Sequence, residues 1–146
     1  MLSTPHLLAG AAIARAIPNP VISLPAAFLS HFVLDAVPHW DGSPEAPFSK
    51  KVIGAASADY IFGASLIFLL TQGSTNQGII LAGAFVATSP DFILALSRHF
   101  QPRLASLKPL KSFNTFHSRI QVDTRFASGI LASFAASLSA LFFLVR

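Results

Sequence analysis

Residues 52–71 read VIGAASADYIFGASLIFLLT, twenty positions with one charged side chain, Asp59. A helix needs about 20 predominantly apolar residues to cross the hydrocarbon core of a bilayer. This stretch therefore predicts a transmembrane helix, and its neighbours extend the reading. Residues 72–77 form a short polar turn without charge, and residues 78–97 form a second span. Residues 126–145 form a third span that carries no charge at all. The predicted fold is an all-α integral membrane helical bundle.

Composition agrees. The chain has 146 residues, of which 53% are hydrophobic and 11% charged, and its mean hydropathy is +0.62. Soluble domains carry about 25% charged residues. The length suits one membrane-embedded domain, residues 1–146. Ten Lys and Arg against six acids give a net charge of +4, too few charges to argue for nucleic acid. Cysteine is absent, which excludes disulfides, thiolate metal sites and a cysteine nucleophile. Neither a Gly-x-Ser-x-Gly element nor a phosphate-cradling glycine loop occurs.

The N-terminal third is less regular. Residues 7–17 and 21–37 are apolar runs of about 11 and 17 residues, separated by a turn at Pro18-Asn19-Pro20. Both are short for a bilayer crossing. They predict a helical hairpin that re-enters or crosses the membrane, giving five spans if it crosses. The missing basic n-region argues against a cleaved signal peptide. Residues 38–51 and 98–125 read as loops, the second with a short helix near residues 103–107.

Charge orients the spans. Arg98, Arg103, Lys108, Lys111, Arg119 and Arg125 stand in the last loop against the single acid Asp123, and Lys50 and Lys51 precede the first strong span. The positive-inside rule puts both loops in the cytoplasm. Asp59 and Asp91 then lie at similar depths, roughly 9–12 Å in from that face at 1.5 Å per residue. Under this topology His6, Asp35, His39, Asp41 and His117 lie toward the same side.

Small residues repeat at helical spacing beside several of these groups, as in Ala55-Asp59-Gly63, Gly83-Ala87-Asp91 and His6-Gly10-Ala14. Such stripes mark helix-packing faces in membranes, so the ionisable groups are expected to face the bundle interior. The last span divides into a small face, Gly129, Ser133, Ala136 and Ala140, and a bulky one, Leu131, Phe134, Leu138 and Phe142, and reads as scaffold. Pro90 frees a backbone carbonyl one turn earlier for a water or an ion.

The chemistry concentrates in residues 30–41, SHFVLDAVPHWD. His31, Asp35 and His39 fall at i, i+4 and i+8, on one helical face. Imidazole and carboxylate are the groups that hold zinc and similar divalent ions. Eight residues span about 12 Å of helix, too far for the two histidines to share one ion easily. Asp35 bridging two ions, with one histidine on each, fits better. Pro38 disfavours a helical Val37, and the bend it causes would turn His39 and Asp41 inward.

Thr4-Pro5-His6-Leu-Leu-Ala-Gly10, His31-Phe-Val-Leu-Asp35, Pro38-His39-Trp-Asp41, Pro90-Asp91 and Thr115-Phe-His117-Ser118 together resemble the bacterial and archaeal membrane-bound metal-dependent hydrolases. That family is distantly similar to zinc-dependent phospholipases C. The resemblance covers roughly residues 4–118, and the His-x3-Asp motif is its most specific part. It implies a helical inner-membrane protein with a His/Asp metal centre and hydrolase activity. The chain departs from the pattern after Asp91, where Phe92 and Ile93 replace a second acid. It departs again before His117, where residues 111–114 lack a His-Arg pair.

The expectation is a metal-dependent hydrolase acting on a phosphoester or lipid headgroup at the cytoplasmic face of the inner membrane. The expected metal ligands are His6, His31, Asp35, His39, Asp59, Asp91 and His117, with zinc first and manganese or iron next. Asp41 or Asp59 would serve as the catalytic proton acceptor. The basic loop would draw anionic lipid headgroups. The alternative is an intramembrane ion- or proton-binding transport or sensing protein, because buried acids mark ion paths as readily as active sites. A third reading makes the metal purely structural.

Overall fold

The structure is a computed structural model, described for residues 1–40, 50–97, 101 and 103–146. Among the described residues it is all-helical: α1 (Ser3–Ala16), α2 (Pro20–Asp35), α3 (Lys50–Leu70), α4 (Gln77–Ala95), α5 (Lys108–Ile120) and α6 (Phe126–Val145), with a single 3-10 turn at Leu104–Ser106. Helices α3, α4 and α6 are each long and apolar enough to cross a membrane, and α2 is a shorter apolar helix. This fits an integral membrane protein.

The shortest apolar helix is the centre of the bundle. Helix α1 contacts α2, α3, α4 and α6, and its buried residues run from Thr4 through His6, Leu7, Leu8, Gly10 and Ala11 to Ala14. Its composition explains the position. Small side chains let backbones approach closely where lipid supplies no hydrophobic drive between helices. At the crossing with α4, a Cβ on Gly10 would sit 2.5 Å from Ala87 Cβ, and one on Gly83 would sit 2.6 Å from Ala14 Cβ. Leu7, Leu8, Ile67, Ile80 and Leu144 pack around α1 as the apolar core. At 14 residues, α1 is about 21 Å long, less than the bilayer core. The N-terminal segment is thus a central post plus α2.

The outer faces are apolar and exposed, as lipid requires. Leu131, Phe134, Leu138 and Phe142 on α6 are exposed, while Gly129, Ser133 and Ala140 are buried and Ala136 is half-buried, so the small face turns inward and the bulky face outward. On α2, Val21, Leu29 and Val33 are exposed and Ala27, His31 and Asp35 are buried. The carbonyl freed by Pro90 belongs to Val86, and it accepts from Ser89 Oγ at 2.8 Å. A local hydroxyl thus takes the position expected for a water or an ion.

Two segments differ from the sequence reading. Residues 108–120, read as loop, form α5; its buried stripe is centred on Asn114 and His117, with Leu110, Phe113 and Ile120 half-buried beside them. The short helix near residues 103–107 is one 3-10 turn. After α2, the chain pairs with the segment before α6. Val122 N–H donates to Asp35 O (3.2 Å), His39 N–H to Val122 O (3.0 Å) and Thr124 N–H to His39 O (2.8 Å). Helix α2 stops at Asp35 because Pro38 cannot continue it, and this strap then carries His39 back to the bundle.

Candidate metal centre

Asp35 is the hub. It closes the last turn of α2 and is fully buried, as are His6, His31, His39 and His117. Its two oxygens gather different groups. Around Oδ2 stand His31 Nε2 at 3.1 Å and His117 Nε2 at 3.0 Å. Those two nitrogens are 3.0 Å apart, and Asp91 Oδ1 lies 3.5 Å from each. Around Oδ1 stand His6 Nε2 at 3.2 Å and His39 Nε2 at 3.9 Å. The amino group of Met1 donates to the same Oδ1 at 3.0 Å and lies 2.6 Å from His39 Nε2.

Local structure aims each ring. His31 Nδ1 bonds Ala87 O on α4 at 2.8 Å, and His39 Nδ1 bonds Val37 O at 2.8 Å. A carbonyl accepts only, so both rings carry a proton on Nδ1 and present Nε2 toward Asp35. Metal-ligating histidines are oriented in this way by their outer partners. His117 is delivered by α5, which Asn114 ties to the end of α4 through a 2.9 Å bond to Ser97 Oγ. The His6 ring stacks on His31, with centroids 4.2 Å apart.

The residues fit a metal on three counts. First, His31, Asp35, Asp91 and His117 each offer one ligand atom, all within 4.8 Å of one another. Ligands held at about 2.0–2.1 Å on a tetrahedral zinc lie about 3.3 Å from each other, and the five spacings that involve His31 or His117, 3.0–3.5 Å, bracket that value. Second, His6 Nε2 is buried and makes no hydrogen bond, although it lies 3.2 Å from Asp35 Oδ1. Buried polar atoms are nearly always paired, so such an orphan calls for a ligand. Third, His31 Nε2 and His117 Nε2 approach to 3.0 Å beside Asp35 Oδ2, a contact that a proton or a cation between them satisfies. The buried His/Asp group could therefore hold a metal ion.

The expected ligands sort as follows. His31, Asp35, Asp91 and His117 come together at Oδ2, and His6 and His39 join at Oδ1. One histidine of the His31/His39 pair thus sits on each side of the carboxylate. Asp91 is 37% exposed, so this side of the group opens outward. Asp59 has a different task. Its Oδ2 accepts from Thr4 N–H at 2.9 Å and its Oδ1 from Thr4 Oγ1 at 2.8 Å, while Thr4 Oγ1 also lies 3.0 Å from Asp59 O. It caps α1 from α3, where Leu2 offers no side-chain cap. Asp41 lies outside the described residues.

Sequence reading missed the supports: the Ala87 carbonyl, the strap at residues 122–124 and the Asn114–Ser97 tie. Only Asn114 carried a signal, being polar and one turn before His117 on the same helical face. No protein-family model, no curated protein and no solved structure matches the chain.

Proposed function

We propose that this chain is a membrane-embedded metal-dependent hydrolase that acts on a phosphoester, in a lipid headgroup, at the cytoplasmic face of the cell's inner membrane. The observation that supports it is the set of four ligand atoms around Asp35 Oδ2, spaced as a divalent ion requires. His31, Asp35, Asp91 and His117 would hold one ion, and His6 and His39 a second at Oδ1, with zinc the best match to a nitrogen–carboxylate set. A divalent ion bound there acidifies water and polarises a phosphoryl oxygen.

The chain's own residues do the rest. Asp35 fixes the spacing between the two halves of the group. Ala87 O and Val37 O hold the rings of His31 and His39 in one tautomer. Packing around α1 keeps bulk water from the inner side, while Asp91 marks the open side through which a headgroup reaches the group. Asp41 follows Trp40 and stays our choice of proton acceptor, because the Asp59 carboxylate is engaged by Thr4. The side of the membrane follows from the basic segment 98–125 and Lys50–Lys51.

Elemental analysis of detergent-purified protein tests the reading, beside Asp35→Ala and His117→Ala. We expect one or two equivalents of zinc, manganese or iron in the wild type. His117→Ala should lower the content and Asp35→Ala should abolish it. The metal-replete protein should then cleave a phosphoester lipid in a headgroup-release screen. A wild type that takes up no metal after reconstitution refutes the hydrolase. Bound metal with no turnover across phosphoester lipids leaves a structural ion and also refutes it.

A further inference from the structure

Helix α5 does more than carry His117. Wound as an α-helix, Leu110, Phe113, Asn114, His117 and Ile120 fall on one side, and these are its buried and half-buried positions. Lys108, Lys111, Thr115 and Arg119 fall at i, i+3, i+7 and i+11 on the opposite side, and all are exposed. No acid lies between residues 103 and 122. Lys111, Ser112, Thr115, Phe116 and Arg119 border a shallow, open depression of about 370 Å³ on this side.

The position of α5 is set by its connections. Helix α4 ends at Ala95 and α6 begins at Phe126, and α3 begins at Lys50, so three candidate spans have these ends on one side. Helix α5 lies between two of them and is tied to α4 through Asn114 and to α2 through His117 and Asp35. It therefore lies where the membrane meets water. Phe116 is 52% exposed, and its ring meets Phe32 of α2 at 5.3 Å, which in turn meets Phe28 at 5.5 Å. The exposed ring thus continues the apolar surface of α2 that includes Leu29 and Val33.

We propose that the α5 depression is a docking site for an anionic phospholipid, with its phosphate on Lys111 and Arg119 and its acyl chains along Phe116 and the exposed face of α2. Charge and apolar surface meet at one edge, which is what a lipid with a charged head and an apolar tail matches. Arg presents a fork of donors that pairs two phosphate oxygens, and Lys adds a point charge eight residues before it. The lipid is one of the surrounding bilayer, and its binding does not depend on metal or on hydrolysis at Asp35.

Native mass spectrometry of the detergent-solubilised chain, with a chelator present throughout, reads this directly. Phosphatidylglycerol and phosphatidylcholine of the same acyl composition are added at equal concentration. The wild type should retain phosphatidylglycerol over phosphatidylcholine by about tenfold, and Lys111→Gln/Arg119→Gln should bring the ratio near one. Lys50→Gln/Lys51→Gln removes the same charge from the same membrane side and should leave the ratio unchanged. Unfolding curves of both double variants should overlay the wild type, since all four side chains are exposed. A wild type without preference overturns the proposal. Equal losses in the two double variants also overturn it, because diffuse surface charge then explains the retention. A protein that keeps the preference here yet takes up no metal in the separate reconstitution would sink the hydrolase and leave the lipid site standing.

Discussion

The bond between Thr4 and Asp59 offers the most decisive test of how the bundle holds its histidines. Two donors of Thr4, the backbone N–H and Oγ1–H, reach the two carboxylate oxygens of Asp59 at 2.9 and 2.8 Å. Thr4 is buried, and its position two residues before His6 makes this contact the anchor of the α1 N-terminus. A hydrogen bond to a charged group contributes about 1.5–3 kcal/mol. Thr4→Val keeps the shape and removes the hydroxyl, and should cost about 2 kcal/mol. Asp59→Asn keeps an acceptor for the backbone N–H, loses the charge, and should also cost about 2 kcal/mol. If one contact underlies both losses, the double variant costs about 2–3 kcal/mol, well short of the roughly 4 kcal/mol of independent sites. Equilibrium unfolding in mixed detergent–lipid micelles measures all four proteins. Asp59→Asn should keep the wild-type metal content, because its carboxylate is outside the group around Asp35. Additivity within about 0.5 kcal/mol would refute the capping role. So would an Asp59→Asn protein of unchanged stability that has lost its metal.

Three glycines carry further predictions. Gly129→Ala puts a Cβ 2.6 Å from Trp40 Cβ and 2.7 Å from the His39 carbonyl carbon, so the strap that carries His39 has to move. Metal affinity should fall by about 10–100-fold, the usual cost of disturbing a ligand's support, and a competitive zinc titration that finds no change would sink the assigned role of the strap. Gly10→Ala overpacks the α1/α4 crossing against Ala87 Cβ at 2.5 Å and should cost about 1–3 kcal/mol. Gly78→Ala in the same helix pair meets nothing within 4 Å and should be neutral or stabilising by about 0.5 kcal/mol. Equal unfolding midpoints for these two variants would contradict the close backbone contact.

The spans were legible because lipid imposes a one-dimensional rule. An uncharged run of about 20 residues can do little else, and residues 126–145 form α6 as read. The pairing of His31 with Asp35 was legible for the same reason, since helical spacing alone puts i and i+4 together. Helix α5 was not, because its polar residues mask a period that only burial of Asn114 and His117 makes visible. Asp59 misled for a related reason. Its depth and small-residue stripe matched those of Asp91, yet the two acids face different neighbours. Asp91 meets His31 and His117, whereas Asp59 meets the end of α1. Depth in a span is a local property of sequence, whereas the partner across the bundle depends on how helices rotate against one another.

The brevity of α1 ties the fold to the site. A central helix of about 21 Å is shorter than the flanking α3 and α4 of 21 and 19 residues, and the His/Asp group gathers beside its N-terminal end. Every backbone N–H and C=O there needs a partner, because hydrocarbon offers none. Asp59 takes the Thr4 N–H, Val122 takes the Asp35 carbonyl, and Ala87 O takes the His31 ring. These bonds occupy the polar backbone there and leave His6 Nε2 facing Asp35 Oδ1 at 3.2 Å without a hydrogen bond. A group built only for stability would give way to apolar side chains, since a buried ionic network is often no better than a well-packed apolar core. Five elements instead send four imidazoles and two carboxylates to one point. The two oxygens of Asp35 divide these groups, with His31 and His117 at Oδ2 and His6 and His39 at Oδ1, so the carboxylate is the one point at which all five elements meet.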